Sequence, residues 1–283
     1  MSIVLIADGT PAVWQAERAG FNIPSNFSLF AAAVQLHRPD IRCTPLNIAD
    51  GEALPLGAAL ADFDGVMLPG SPLHIYDRTS IVTRQIDFAR AVFAAGIPVW
   101  GSCWGLQLAT VALGGSVRRN PRGREFPIAR AISVTEAGRA HPLLASRPAV
   151  FDALCSHLDE IETLPLNSQV LATNELSPIQ AISTQTPWLG SFIGTQYHPE
   201  HTLAVSAALM EMRATELVDE GFGIERAEII AMAADYRALA AEPGRRDLVW
   251  RYGIASEIID PMRRTTEIGN WLRTVVGSER LVA

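Results

Sequence analysis

Short apolar runs alternate with longer amphipathic stretches over residues 3–196. A short apolar run predicts a buried strand, and an apolar position at every third or fourth residue predicts a helix. The predicted strands cover residues 3–7, 65–68, 98–100, 131–134, 169–173, 179–183 and 189–196. The predicted helices cover residues 27–37, 82–95, 105–113 and, as a short helix, 159–162. This alternation indicates an α/β fold with three layers (α/β/α), in which helices cover both faces of a mostly parallel central sheet.

The pattern changes after residue 203, where Ala, Glu, Met and Leu recur at helical spacing up to residue 241. Pro243 and Gly244 interrupt it, and two more helices are predicted over residues 247–260 and 261–276. We therefore predict a domain over residues 1–203 and a helical C-terminal extension over residues 204–283 that packs on it.

One apolar stripe in the extension consists of Trp250, Ile254 and Ile258. Their helical spacing predicts that they share a face. We expect this face to pack on the α/β domain, and docking of a partner or a second subunit is the alternative.

Composition excludes several classes of partner. The formal net charge of −7 argues against nucleic acid and against an anionic membrane surface. No apolar run approaches the roughly 20 residues of a membrane span, and the N-terminus predicts a strand rather than a signal peptide. The three cysteines, Cys43, Cys103 and Cys155, lack metal-ligand spacing and leave one unpaired. We therefore predict a cytoplasmic protein without a metal site.

The 283 residues include no lysine, so every one of the 23 basic residues counted as Lys or Arg is an arginine. A Schiff-base lysine and a phosphate-binding P-loop lysine are therefore excluded. No G-x-G-x-x-G segment follows a predicted strand either. We predict no cofactor and no activation of substrate by ATP.

Cys103 lies in the segment GSCWGLQ (residues 101–107), directly after a predicted strand and directly before a predicted helix. Glycines on both sides of this cysteine permit a tight turn that holds one side chain in a strained, exposed position. The helix N-terminus favours the thiolate form of a thiol whose free pKa is about 8.5. The pattern therefore predicts a nucleophilic cysteine.

His198 and Glu200 follow another predicted strand, with Pro199 between them. Residues i and i+2 of an extended chain point to the same side, and proline keeps its predecessor extended. A carboxylate beside an imidazole holds one tautomer, which leaves the other ring nitrogen free to face a thiol. Cys103, His198 and Glu200 are thus the predicted nucleophile, proton shuttle and orienting carboxylate.

Five ordered segments within residues 60–203 together resemble the triad-type class I glutamine amidotransferases, and in particular the glutaminase domain of GMP synthases. They are residues 62–72 (DFDGVMLPGSP) with 75–77, residues 101–107, residues 113–117 with 124–126, residues 155–159 (CSHLD) with 164–165, and residues 195–200 (TQYHPE).

The resemblance implies a substrate and further site residues. Glutamine or another γ-glutamyl compound is the expected substrate, with Cys103 attacking its γ-carboxamide. The oxyanion is expected to bind backbone N–H groups of Gly70, Ser71 and Trp104. The residues expected to hold the amino-acid end of the substrate are Gln107, Ser156, His157 and Asp159.

Two residues depart from the family pattern. Ser71 replaces the usual second glycine of the oxyanion loop, where a backbone N–H is still available. Trp104 follows the nucleophile, and its indole is expected to reshape the pocket. Glu125 is expected to be a surface charge, and no role is predicted for the remaining histidines: His37, His74, His141 and His201.

Three functions remain open from the sequence. The first is a glutaminase that passes ammonia to an acceptor or to a synthase on another chain. The second is a free-standing γ-glutamyl hydrolase or peptidase, which the lack of a synthase domain in residues 1–283 keeps open. The third is a non-catalytic regulatory module on the same fold. Homo-oligomer formation is open in each case.

Overall fold

The computed structural model describes residues 2–186 and 190–276. Within them the chain forms eleven strands, in the order β1 (Ile3–Asp8), β2 (Arg42–Asn47), β3 (Gly65–Leu68), β4 (Val99–Ser102), β5 (Ser116–Arg119), β6 (Ile128–Val134), β7 (Val150–Leu154), β8 (Asp159–Thr163), β9 (Ser168–Thr173), β10 (Ala181–Gln185) and β11 (Ser191–Thr195). The α-helices up to residue 219 are α1 (Ala12–Gly20), α2 (Asn26–His37), α3 (Ser80–Ala94), α4 (Trp104–Ala112), α5 (Glu136–Ala140), α6 (Leu203–Met212) and α7 (Ala214–Asp219). The later ones are α8 (Arg226–Ala241), α9 (Arg246–Tyr252), α10 (Ser256–Ile259), α11 (Pro261–Arg264) and α12 (Thr266–Val276).

Nine strands form one sheet in the order β2-β1-β3-β4-β11-β10-β9-β6-β7. The strands from β2 to β11 pair in parallel, and the rest continue the sheet with antiparallel pairs. Strands β5 and β8 form a separate antiparallel pair. The predicted α/β fold with helices on a mostly parallel central sheet is thus confirmed. Strands β4 and β11 are neighbours, so the segments after their carboxyl ends meet at one edge.

Successive residues of β1 point to opposite faces of the sheet, as the period of a strand requires. Val4 and Ile6 belong to the apolar core on one face, and Leu5 belongs to the core on the other. Trp271 of α12 joins the first core, where its ring lies 6.3 Å from that of Trp100. Helix α12 therefore supplies part of the apolar core on one face of the sheet.

Buried polar contacts also anchor α12. Arg147 binds both carboxylate oxygens of Glu267, at 2.6 and 2.7 Å. The Tyr197 hydroxyl donates a hydrogen bond to the same carboxylate at 2.9 Å. All three side chains lie inside the protein. Arg147 therefore ties α12 to the segment between α5 and β7, and Tyr197 ties it to the loop that follows β11.

Several local predictions were wrong. Residues 159–162 form strand β8 instead of a helix, because they pair with β5 and Glu160 binds Arg118 at 3.0 Å. Helix α1 and strands β2, β5 and β7 were not predicted. The predicted strand 189–196 is observed from Ser191, and residue 189 lies outside the described residues.

The stripe prediction holds for two of its three residues. Gly253 adopts a left-handed conformation with φ of 56° and ends α9, which divides the predicted helix 247–260. Ile254 and Ile258 are buried, whereas Trp250 is 81% exposed. In the described part of the chain, no helix has both the length and the apolar character to cross a bilayer.

Candidate active site

Cys103 lies between the end of β4 and the first residue of α4, with φ of 52° and ψ of −105°. A non-glycine residue in this region is strained by about 1–3 kcal/mol. A Cβ on Gly101 would lie 2.6 Å from the backbone of Gly105, and a Cβ on Gly105 would lie 1.8 Å from the carbonyl oxygen of Leu68. The glycines therefore permit close packing, while the cysteine itself takes the strained conformation. Its side chain lines a cavity but is only 6% exposed, less than the predicted turn implied.

His198 and Glu200 lie beside this cysteine at the end of β11. The Nδ1 atom of His198 lies 2.6 Å from Oε1 of Glu200. Oε2 of Glu200 accepts a hydrogen bond from Ser102 at 3.2 Å, and Trp100 donates to the same serine hydroxyl at 3.0 Å. The carboxylate is therefore held on both oxygens, and the imidazole edge away from Glu200 is free to serve Cys103.

The electrostatics of this group favour a charged imidazole. Burial opposes the charge on His198, but the negative charges of Glu200 and the Cys103 thiolate outweigh burial and raise the pKa of His198 to about 10. At neutral pH this corresponds to an imidazolium, which can give its proton to a leaving group.

His201, for which no role was predicted, stacks on His198. The ring centroids are 3.9 Å apart and the planes differ by 5°. Burial, followed by the charges of His198 and nearby arginines, lowers the pKa of His201 well below its usual range. A neutral ring thus covers one face of the His198 imidazole. The histidine directly after Glu200 was the only sequence signal for this contact.

His198, Glu200 and His201 each have a possible metal-ligand atom within 4.8 Å of those of the other two. Within residues 2–186 and 190–276, this is the one group of three such side chains close enough to hold a metal ion. The hydrogen bond between His198 and Glu200 already uses an atom of each residue. The geometry therefore suits a proton shuttle.

The loop after β3 carries Gly70 and Ser71. Asn26 donates a hydrogen bond to the carbonyl oxygen of Gly70 at 3.0 Å, and the Ser71 hydroxyl donates to that of Gly9 at 3.0 Å. A Cβ on Gly70 would lie 2.6 Å from Cε1 of His198, so this loop lies directly against the imidazole.

The backbone N–H groups of Gly70, Ser71 and Trp104 donate to no acceptor within the described ranges. Gly70 and Ser71 also line the cavity, so their N–H groups are available to a ligand. The Trp104 indole is buried and donates to Gln85 at 2.9 Å instead of lining the cavity. The expectation that this ring reshapes the pocket was wrong, because the indole is buried against Gln85 and away from the cavity lining.

The predicted substrate-binding residues form a connected group near the Cys103 thiol. The carbonyl oxygen of Ser156 is 3.9 Å from Sγ of Cys103. Gln107 donates to the carbonyl oxygen of Asp159 at 3.2 Å. The His157 ring lies between that carbonyl oxygen, at 3.0 Å, and the Glu125 carboxylate, at 2.7 Å. The prediction that Glu125 is a surface charge was wrong, since this residue is 4% exposed.

Asp159 has partners that the sequence did not reveal. His74 lies 2.6 Å from one oxygen of its carboxylate, and Tyr76 donates to the other at 3.0 Å. The hydrogen bond with Asp159 raises the pKa of His74. Because His74 lines the cavity with Asp159, a substrate ammonium group would have to share this carboxylate with His74 and Tyr76.

The cavity around these groups has a volume of about 380 Å³, within the range of sites for small molecules. Two helical segments complete its wall. Trp14, Glu17 and Arg18 come from α1, whereas the residues from the chain after 203 are Leu209, Met212, Arg213 and Glu216. Sequence reasoning missed both segments because neither carries a recognisable motif.

Comparison with known proteins agrees with this geometry. The family model described as glutamine amidotransferase class-I matches residues 30–215. The chain therefore belongs to the class-I glutamine amidotransferase family. It is similar over nearly its whole length to a γ-glutamyl-L-1-hydroxyisopropylamide hydrolase from a Pseudomonas species. The identity is 34%, over 96% of this chain and 92% of that protein.

Similarity to GMP synthases is local. The enzyme from Thermomicrobium roseum is 35% identical over 136 residues, which are 48% of this chain and 23% of that protein. A glutamine amidotransferase structure from Thermotoga maritima superposes with a TM-score of 0.67 over 98% of this chain and all of that one. At 16% identity, this likeness concerns the fold.

Proposed function

We propose that the protein is a γ-glutamyl amide hydrolase that works through a cysteine thioester without a synthase. The observation that carries this proposal is the composition of the cavity. Cys103 and His198, which is bound to Glu200, lie in one wall, and residues 209–216 after the α/β layers form another. The hydrolase from Pseudomonas is similar over both regions.

Acylation follows from the positions of these groups. The Cys103 thiolate attacks the γ-carbonyl carbon and forms a C–S bond. The developing oxyanion is held by the N–H groups of Gly70, Ser71 and Trp104, each worth about 2.7–4 kcal/mol of barrier. His198 gives its proton to the nitrogen as the C–N bond breaks, and ammonia or an amine leaves.

Deacylation uses the same groups in reverse. His198, now neutral, takes a proton from water, and the hydroxide attacks the thioester carbonyl. The C–S bond breaks to give a γ-carboxylate and the thiolate. Glu200 holds His198 in one tautomer through both steps. Gln107, Ser156, His157 and Asp159 are proposed to position the glutamyl group.

A second candidate is a glutaminase that supplies ammonia to a separate synthase. The local similarity to GMP synthases supports it. The two functions differ in their dependence on a partner and in the size of the leaving group. A glutaminase subunit is expected to prefer glutamine and to gain activity with its synthase, whereas a hydrolase cleaves substituted amides alone.

Steady-state assays with purified protein test this choice. We expect glutamate release from γ-glutamyl alkylamides without any added protein, with a higher kcat/KM than for glutamine. Cleavage of glutamine alone, and only after a co-purifying synthase is added, would favour the second candidate. If neither class of amide yields glutamate and a glutamine-like electrophile leaves Cys103 unlabelled, the remaining interpretation is a regulatory module.

A further inference from the structure

Two arginines line the cavity without a carboxylate partner. Arg18 comes from α1 and Arg213 from the junction of α6 and α7. Neither lies within ion-pair distance of a carboxylate in residues 2–186 and 190–276, and Nη2 of Arg18 is buried without a hydrogen-bond acceptor. Arg124 lines the same cavity but binds both Glu216 and Glu220. The charges of Arg18 and Arg213 are therefore the ones that a ligand can meet.

Arg213 is tied to the reacting thiol through a single residue. Its Nη1 atom donates to the Ser156 hydroxyl at 2.8 Å, and the carbonyl oxygen of Ser156 is 3.9 Å from Sγ of Cys103. A molecule whose amide carbon meets Cys103 can therefore place a nearby anionic group against this guanidinium. The pocket carboxylates of Asp159 and Glu216 are already bound to other side chains, and Glu17 is exposed.

Arg18 and Arg213 are half-buried, and a partly desolvated charge without a counter-charge is costly unless a ligand compensates it. Burial and the neighbouring Arg124 lower the pKa of Arg213 to about 10, and burial also lowers that of Arg18. Both groups still carry their charge at neutral pH. The planar guanidinium fits a carboxylate with two parallel hydrogen bonds.

We propose that Arg213 and Arg18 form a carboxylate-binding site that selects substrates by an anionic group near the scissile amide. The proposal rests on the γ-glutamyl hydrolase function. The carboxylate has two chemical sources: the α-carboxylate of the glutamyl group, or the carboxylate of an amino acid that leaves as the amine. Both would dock in the same cationic part of the cavity.

Three substrates distinguish these sources. They are γ-glutamyl methylamide, γ-glutamylglycine, which adds a carboxylate on the leaving side, and 4-aminobutanoyl methylamide, which lacks the α-carboxylate. We expect Arg213→Gln and Arg18→Gln to reduce a carboxylate preference about 10- to 100-fold. If the arginines bind the α-carboxylate, the preference for the first substrate over the third falls. If they bind the leaving group, the preference for the second over the first falls.

Matched variants separate this effect from a change in folding or net charge. Arg237→Gln removes the same charge from an arginine that is paired with Glu211 outside the cavity, so both preferences should stay at the wild-type values. Arg213→Lys keeps the charge but loses the two parallel hydrogen bonds, so it should retain only part of the preference. The proposal is overturned if Arg213→Gln and Arg18→Gln melt like wild type and change all three substrates by the same factor.

A binding measurement keeps this result independent of turnover. Calorimetry on the Cys103→Ala protein compares the Kd of γ-glutamyl methylamide with that of 4-aminobutanoyl methylamide, and the Kd of γ-glutamylglycine with that of γ-glutamyl methylamide. If Arg213→Gln abolishes a carboxylate preference in either pair, the site is supported even when the wild-type protein hydrolyses none of the three compounds. In that case only the hydrolase function fails. If the protein cleaves these amides but Arg213→Gln changes no preference, the hydrolase function stands and the carboxylate-binding site is excluded.

Discussion

The two sides of the cavity are built differently. On the side formed by residues 60–203, backbone atoms pack so closely that Gly101 and Gly105 admit no side chain, and Gly70 lies directly against the His198 ring. On the side formed by α6 and α7, the chain is held by side-chain ion pairs such as that of Arg124 with Glu220. Close backbone packing leaves a sequence motif, whereas a wall of side chains does not. We therefore expect the first side to define the bond that is cleaved and the second to select the substrate.

The largest expected effect removes the proposed nucleophile. Cys103→Ala should lower kcat by about 10⁴-fold or more, as for other nucleophiles that act with a paired base. Glutamate release measures the loss, and thermal unfolding reports the fold. Cys43→Ala is the matched control, because Cys43 is half-buried in the protein and does not line the cavity. Retained turnover in Cys103→Ala would exclude the thioester mechanism.

The second prediction concerns the C-terminal region. Glu267→Gln leaves the buried Arg147 without its counter-charge, so the free energy of unfolding should fall by about 3–5 kcal/mol. Glu211→Gln breaks the half-exposed pair with Arg237 and should cost at most about 1 kcal/mol. Denaturant unfolding of both variants measures the difference. Equal losses would mean that α12 is not anchored through this ion pair.

Close packing on the motif-bearing side gives the third prediction. A Cβ at Gly105 meets the carbonyl oxygen of Leu68, which has little room to move, so Gly105→Ala should cost about 3 kcal/mol. A Cβ at Gly244, in the helical region, would meet nothing within 4 Å, and Gly244→Ala should be neutral or slightly stabilising. Unfolding free energies test the contrast, which disappears if both variants behave alike.

The sequence allowed prediction of features whose cause is local. Neighbouring residues determine the tight turn around Cys103, and they also determine the His198–Glu200 pair. His74 binds Asp159 across 85 positions and Arg213 binds Ser156 across 57, so neither contact leaves a pattern in either segment. Likewise, residues 159–162 lie in a strand only because β5 pairs with them.

The orientation of Trp250 has a similar explanation. Its spacing with Ile258 suits one continuous helix, but the left-handed turn at Gly253 changes the direction of the chain. A glycine within an amphipathic run permits such a turn without requiring it. The packing of the surrounding helices therefore decides whether the chain turns at Gly253, and the sequence pattern alone does not predict it.

The smallest effect tests whether the orienting carboxylate sets the charge of His198. Burial opposes the charge on His198, but Glu200 and Cys103 together raise the pKa of this imidazole to about 10. In the wild type, kcat/KM should stay high at neutral pH and fall as the pH rises through about 10, because the imidazolium then loses the proton needed by the leaving nitrogen. The stability that the charged imidazole contributes is complete below its ordinary pKa of 6.5 and is lost as the pH rises through about 10.

Glu200→Gln removes the negative charge and should move this alkaline limb to lower pH. At the optimum kcat should fall by about 10²-fold, the lower end of what a positioned general acid contributes. Glu125→Gln is the matched control, because Glu125 forms a similar bond with His157 at 2.7 Å, and this ring separates Glu125 from the carbonyl oxygen of Asp159. This variant should lose stability but keep the wild-type limb. Since both pairs join a buried imidazole to a buried carboxylate, a shift in Glu200→Gln alone would assign the titration to the pair beside Cys103. An unshifted limb in Glu200→Gln would mean that the thiolate, and not the carboxylate, holds the proton on His198.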